Sequence, residues 1–230
     1  MNTWPDIIQK SLLPPTCLLC GQPGNGDLDL CHPCGTNLPF VERACALCGI
    51  SLAPTAPEIC GPCTKRKPVT DSTLTLFHYV DPIRTLIHEL KFRNNYCIAG
   101  LFARLLAEAV LARTPAPLVI VPVPLHWGRY VQRGYNQSAE IARELSRLTN
   151  IPMITTSCER VRATHPQSDL TARERRKNLK NAFQITAPLR AHHVAILDDV
   201  VTTATTVNEF ARTLKRAGVI QVDVLAVARA

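Results

Sequence analysis

Ten cysteines and one acidic, hydroxyl-rich segment are the parts of this 230-residue chain best suited to chemistry. Eight of the cysteines form four Cys-x-x-Cys pairs, Cys17/Cys20, Cys31/Cys34, Cys45/Cys48 and Cys60/Cys63, whose first members stand 14, 14 and 15 residues apart. A Cys-x-x-Cys turn points two thiolates at one tetrahedral ion, and the glycine after three of the pairs (Gly21, Gly35, Gly49) eases the turn. Two pairs complete one site, so the set predicts two structural Zn²⁺ ions. Sequential pairing gives two successive ribbons and alternate pairing a cross-braced module; the spacing fits both, and sequential ribbons are preferred. A disulfide framework needs an oxidising compartment, which nothing in the N-terminal residues indicates. Four evenly spaced pairs without strand-helix alternation also differ from a single catalytic dithiol beside a helix. His32 is not needed as a ligand. Cys97 and Cys158 stand alone in apolar surroundings and are expected to be buried free thiols.

The acidic segment reads Ile196-Leu197-Asp198-Asp199-Val200-Val201-Thr202-Thr203-Ala204-Thr205-Thr206. Two carboxylates followed by a hydroxyl-rich turn at a helix N-terminus can bind a sugar diol and a phosphate together. The carboxylates accept from vicinal hydroxyls, directly or through Mg²⁺, while backbone N–H groups and threonine hydroxyls enclose the phosphate. Helix capping alone explains one such residue and not six. A second cluster, from Pro122 to Gln137, carries His126, Arg129 and Arg133, with Gly134 allowing close backbone approach. A third follows Ser157, where Arg160, Arg162, Arg173, Arg175, Arg176, Lys177 and Lys180 face Glu159, Asp169 and Glu174. Taken alone, such a basic run reads as a solvated surface.

These residues must be positioned by a fold, and the pattern changes near residue 70. Residues 3 to 12 carry Trp4, Ile7, Ile8 and Leu12 at helical spacing, and the Cys-rich segment ends in the basic linker Thr64 to Pro68. Residues 1–68 are therefore read as one module and 69–230 as a second domain. There strands (73–80, 118–123, near 151–157, 182–186, 193–197, 221–228) alternate with helices (84–92, 98–112, 137–149, 206–217). That order predicts an α/β fold with a parallel sheet covered by helices, and in such sheets ligands sit at the carboxyl ends of the strands. The length, with 46% hydrophobic and 19% charged residues, suits two modest folded domains and excludes a disordered chain. No apolar run is long enough to span a membrane, and the first residues lack the pattern of a secretory signal, so the cytosol is the expected location. The formal charge of +8 lies wholly in residues 71–230, with 21 basic and 13 acidic side chains against five and five before them.

Residues 196–206 resemble the phosphoribosyl-pyrophosphate (PRPP) motif of type I phosphoribosyltransferases, and nearly the whole chain resembles one branch of them, the ComF family of ComFC and GntX-type proteins. The resemblance rests on the double zinc ribbon at 17–63, Leu90-Lys91-Phe92, Val121-Pro122-Val123-Pro124, and Arg133-Gly134-Tyr135-Asn136-Gln137. Gln167, Leu170, Arg175, Asn178 and Phe183 complete it. It implies a phosphoribosyltransferase-like domain behind the zinc module, with Asp198 and Asp199 holding the ribose 2′ and 3′ hydroxyls and the Mg²⁺ shell as the catalytic pair. Residues 202–206 would cradle the 5′-phosphate. Lys91, Arg129, Arg133, Gly134 and Arg175 would serve pyrophosphate and the flap that closes over it.

The resemblance also implies a role in natural transformation or use of external DNA. The expected partners are PRPP, single-stranded DNA and proteins of DNA uptake or recombination, the last placing it at the inner face of the membrane. An active phosphoribosyltransferase on an unnamed acceptor and a zinc-module adaptor are the alternatives. Two departures matter. Ala204 stands where the family usually has glycine, at a cost on the order of 1 kcal/mol if the position needs positive φ. Thr202 stands where many base-transferring relatives carry aspartate, and threonine is a poor general base.

Overall fold

The computed structural model describes residues 14–162 and 179–230. The helix expected over residues 3–12 and the basic residues Arg173, Arg175, Arg176 and Lys177 lie outside them, as do Gln167, Leu170 and Asn178. Four strands form one parallel sheet in the order β1-β6-β5-β2: β1 (Ser72–His78), β2 (Val119–Pro122), β5 (His193–Val201) and β6 (Gln221–Arg229). Side-chain direction alternates along each strand, so each supplies both faces. Ile120, Ala195, Leu197, Leu225 and Val227 enter one core, under α3 (Ile83–Phe92), α4 (Tyr96–Leu111) and α6 (Gln137–Thr149). Val119, Val121, Val194, Ile196, Val222 and Val224 enter the other, under α7 (Thr205–Arg216). The near-continuous apolar runs of β5 and β6 follow from burial on both faces.

The sheet ends at β1 and β2, and both edges are covered, which withholds unpaired N–H and C=O groups from other chains. Pro152 O accepts from Ile120 N, and Ile154 N donates to Ile120 O. This single bridge is all that forms where a strand near 151–157 was expected, because Pro152 has no N–H to extend a ladder. On the other edge the Cys-rich module lies against β1. Val41 N donates to Leu76 O at 2.8 Å, His78 N to Pro39 O at 2.9 Å, and Thr73 N to Ala46 O at 2.9 Å. Leu30 and Leu38 of the module share the first core with α3 and α4. Gly49 sits at φ +70°, where an added Cβ would stand 2.8 Å from the methyls of Thr73 and Thr75, so only glycine lets this turn reach the strand. The residues on either side of the expected 68/69 boundary thus share a core and a sheet edge.

The strand expected at 182–186 is β4 (Phe183–Ile185), but it pairs antiparallel with β3 (Cys158–Arg160) in a separate two-stranded sheet. Short helices α1 (His32–Thr36) and α2 (Gly61–Lys65) begin inside the turns of the second and fourth cysteine pairs, and α5 (Trp127–Arg133) replaces part of the expected pyrophosphate loop. Cys158 is buried as expected; Cys97, also expected to be buried, is exposed in the first turn of α4, at the edge of the face that buries Ile98 and Leu101.

Candidate functional site

The cysteines gather as two sets, Cys17/Cys20/Cys31/Cys34 and Cys45/Cys48/Cys60/Cys63, with all four sulfurs of each within 4.8 Å of one another. The pairing is sequential. Cys20 Sγ stands 3.6 Å from Cys31 Sγ and Cys48 Sγ 3.7 Å from Cys60 Sγ, far beyond a disulfide bond and close to the sulfur separation of a tetrahedral Zn–S₄ centre. Burial opposes ionisation of Cys17 and Cys45, yet backbone N–H donors, led by those of Cys31 and Cys60, draw each thiol down to about 6. Four soft thiolates held at this spacing fit Zn²⁺.

The second site lies at the carboxyl end of the parallel sheet, where β5 delivers Asp198 and Asp199 to a cavity of about 230 Å³. Both acids belong to the strand, which runs through to Val201. Ladder pairing of Asp198 with Ala226 and of Val200 with Ala228 holds the backbone straight there, so the two carboxylates project rigidly rather than from a turn. Asp199 is 3% exposed and forms an ion pair with Lys91, from the last turn of α3. Its Oδ1 accepts from Gln137 Nε2 at 3.0 Å, and Gln137 Oε1 accepts from Arg133 Nη1 at 2.6 Å. Asp198 Oδ1 accepts from its neighbour's backbone N at 3.0 Å and from Ser138 Oγ at 3.4 Å.

The two carboxyls differ in consequence. Burial and the adjacent Asp199 charge push Asp198 up to about 8. Burial also opposes ionisation of Asp199, but the Lys91 ammonium holds it below the usual carboxylate range. Burial works against the Lys91 charge too, and Asp199 overcomes it, so the lysine is held above its ordinary value. Around the rim stand Arg129, Arg133 and Arg160. Burial, then repulsion from Arg129, brings Arg160 down to about 10; burial likewise lowers Arg133. The cavity is therefore a carboxylate floor under a cationic rim.

Most of the expected site residues meet here. Lys91, Arg129, Arg133, Asp198, Asp199 and Val200 line the cavity, with Val201, Thr202, Ala204, Thr205 and Thr206 along its α7 side. Thr203 does not line it; its hydroxyl lies 2.8 Å from that of Thr205. Gly134 is not at a close approach: it is the left-handed C-cap of α5 at φ +82°, with nothing within 4 Å of an added Cβ. Tyr79, Gln137, Ser138 and Arg160 also line it. Gln137 and Ser138 open α6, beyond α5 and the turn at Gly134; Gln137 closes the Arg133–Gln137 motif, and its neighbour Ser138 is the residue that motif does not reach.

The α7 N-cap is Ala204, at φ 55° and ψ 12°. A left-handed alanine costs on the order of 1 kcal/mol that glycine would not pay. Ala204→Gly is expected to raise the unfolding midpoint by a few degrees, a shift of about 2–4 °C per kcal/mol in a chain of this size. Thermal melting followed by circular dichroism checks this, and an unchanged or lower midpoint contradicts it.

Residues 8–64 match the family model of the double zinc ribbon domain. The chain is 40% identical to Competence protein F of Haemophilus influenzae over 87% of this chain and 90% of the relative. It is 37% identical to the DNA utilization protein YhgH of Escherichia coli K12 over 94% of this chain and 98% of that one. Among solved structures, a purine phosphoribosyltransferase from Pyrococcus horikoshii aligns at 17% identity over 69% of this chain and 87% of its own, with a TM-score of 0.31. With paired Cys₄ sites set against a parallel sheet, and relatives matched along almost their full length, the chain belongs to the ComF family of double zinc-ribbon proteins.

Proposed function

We propose that the β5 cavity binds PRPP with Mg²⁺ and that the protein acts, from the cytosol, in the uptake or use of DNA, with single-stranded DNA as a partner. The observation that carries the first part is the Asp198–Asp199 pair on the cavity floor, beside the threonine-rich start of α7 and under three guanidinium groups. Adjacent carboxylates are the hard oxygen donors that Mg²⁺ takes, so Asp198 and Asp199 would hold the ion and the ribose hydroxyls. The α7 N-terminus, with Thr205 and Thr206, offers N–H and O–H donors to a phosphate. Bound Mg²⁺ would supply charge to neutralise a pyrophosphate group; Lys91, Arg129, Arg133 and Arg160 supply the rest.

The names of the relatives, a competence protein and a DNA utilization protein, support the second part. So does the charge: the +8 excess is confined to residues 71–230. Eight thiolates on two Zn²⁺ give the zinc module about −4, so the holoprotein is polarised between an anionic metal module and a cationic domain. Single-stranded DNA is therefore expected to bind with an affinity that falls steeply with salt. Filter binding of a labelled oligonucleotide across a salt series tests this; binding that is absent or indifferent to salt contradicts it. Turnover is a separate property of the same site. Release of pyrophosphate from Mg-PRPP with an added acceptor, lost in Asp199→Asn, is its signature.

A further inference from the structure

Helix α5 buries none of its seven residues, yet it carries two large aromatic rings. Trp127 is 71% exposed and Tyr130 is 44% exposed. Their i, i+3 spacing puts them on one helix face, and the rings lie nearly parallel, 6.0 Å between centroids and 16° between planes. Rings of this size normally contribute through burial, so an exposed stacked pair on a helix with no buried residue adds nothing to the core. It does present a flat π-face to solvent.

Beside this pair is a second cavity, of about 490 Å³, lined by Trp127 and Tyr130 with Pro124, Asn136 and Arg160. Arg160 and Leu125 line both this cavity and the carboxylate-floored one, so the two share a wall. The cations stand on that side: Arg129 lies between the two aromatic residues in sequence but faces the first cavity, as Arg133 and Arg160 do. Arg133 also lies over the ring of Phe92, 5.2 Å from its centroid, and Phe92 is 63% exposed. Exposed rings interleaved with guanidinium groups are what a single-stranded nucleic acid requires, since its bases stack on any aromatic face and its phosphates follow the cations.

We propose that the Trp127–Tyr130 face is a base-stacking platform for single-stranded DNA, whose backbone runs along Arg129, Arg133 and Arg160. The proposal rests on the reading of single-stranded DNA as a partner and adds where and how the strand is held. A double helix is a poor occupant, because its bases are already stacked on one another. A protein partner would find the aromatic face suitable but would leave the adjoining arginines without phosphate.

The chain has two tryptophans, Trp4 and Trp127, so in full-length Trp4→Phe protein the emission reports on the platform alone. Titration with oligothymidylate is expected to quench that emission saturably. Trp127→Ala and Tyr130→Ala are each expected to weaken oligothymidylate binding about 5- to 150-fold, read by fluorescence anisotropy of a labelled strand, while Trp127→Phe keeps most of it. The slope of log K against log salt stays unchanged in the two alanine variants and becomes shallower in Arg129→Ala, because only the arginine releases counterions. Both aromatic side chains are exposed, so the variants are expected to melt with the parent protein. If oligothymidylate binds Trp127→Ala as tightly as the parent, or binds without quenching Trp127, the platform is overturned while the DNA reading stands. If the parent protein binds no oligothymidylate, both fall. A protein complex lost in Trp127→Ala, with oligothymidylate binding untouched, also overturns it.

Discussion

Stripping both zinc ions with a chelator, or replacing Cys45 by serine, is expected to lower the unfolding midpoint of the whole chain and not of the Cys-rich module alone. A structural Zn²⁺ contributes folding free energy of about 10–16 kcal/mol to a small module, so the ribbons do not persist without it. Their loss uncovers β1. Three backbone hydrogen bonds to residues 39–46 go, as do those that Thr73 Oγ1 gives to Leu47 O at 2.8 Å and Thr75 Oγ1 gives to Gly49 O at 3.2 Å. At about 1 kcal/mol each, the sheet domain loses about 5 kcal/mol, or about 10–20 °C in midpoint, before the lost burial of Leu30 and Leu38 is counted.

The turn at 202–206 is expected to suffer as well. Arg229 Nε donates to Cys48 O at 3.0 Å, while Nη1 of the same guanidinium donates to Val201 O at 3.0 Å. One side chain thus ties the second zinc knuckle to the start of the turn at 202–206. Differential scanning calorimetry with and without chelator, with zinc content measured in parallel, checks the prediction. A zinc-free chain whose main transition stays at the parent temperature contradicts it.

The second large effect separates two neighbouring carboxylates. Asp199→Asn leaves the Lys91 ammonium, 23% exposed, beside a neutral partner, and such a break costs about 3–5 kcal/mol. For Asp198 no ion pair within 4 Å is seen among the described residues; it accepts from a hydroxyl at 3.4 Å and a backbone N–H, and burial and the Asp199 charge outweigh the favourable pull of Lys91 on it. Asp198→Asn is therefore expected to melt at or above the parent temperature. Each substitution removes a carboxyl group that Mg²⁺ and the PRPP hydroxyls would use, so each is expected to weaken Mg-PRPP binding about 10- to 100-fold.

The pH dependence of the Asp199 effect has a defined sign. Lys91 depresses the folded-state value of Asp199, so its contribution is complete above the unfolded carboxylate value of about 4 and is lost as pH falls through the lower folded one. The midpoint gap between parent and Asp199→Asn should close in acid. Melts of the three proteins from neutral to acidic pH, with binding measured at neutral pH, test both statements. Equal melting of the two variants, or undiminished binding in either, contradicts them.

Elements whose apolar residues recur with a clear period were legible in the sequence. Helix 137–149 was placed to the residue because Ile141, Ala142 and Leu145 mark its buried face. The strands at β2, β5 and β6 followed from runs buried on both faces. The two Cys₄ sets followed from ligand chemistry, although spacing alone allowed either pairing. Helix α5 was not legible, because a helix that buries nothing leaves no apolar stripe to read. The stacking of Trp127 on Tyr130 leaves no trace in the sequence pattern either.

The antiparallel pairing of β3 with β4 was hidden for another reason: 22 residues lie between Arg160 and Phe183, and a three-residue strand specifies no partner. Asp198, Asp199, Lys91 and Arg133 could be named from motifs, but the chain from Lys91 through Asp199 and Gln137 to Arg133 depends on four elements meeting. The left-handed position of Ala204 was conditional in the sequence, where only a glycine expected from resemblance pointed to it, and it is present in the structure at φ 55°.

Titration calorimetry of Mg-PRPP into the zinc-loaded protein, with and without single-stranded DNA, tests the central claim most directly. The expected result is saturable binding of one PRPP per chain, heat that disappears when Mg²⁺ is chelated, affinity about 10- to 100-fold lower in Asp199→Asn, and an affinity that changes when DNA is present because Arg160 borders both cavities. Absence of saturable heat in the parent protein, or heat that Asp199→Asn leaves intact, would contradict it.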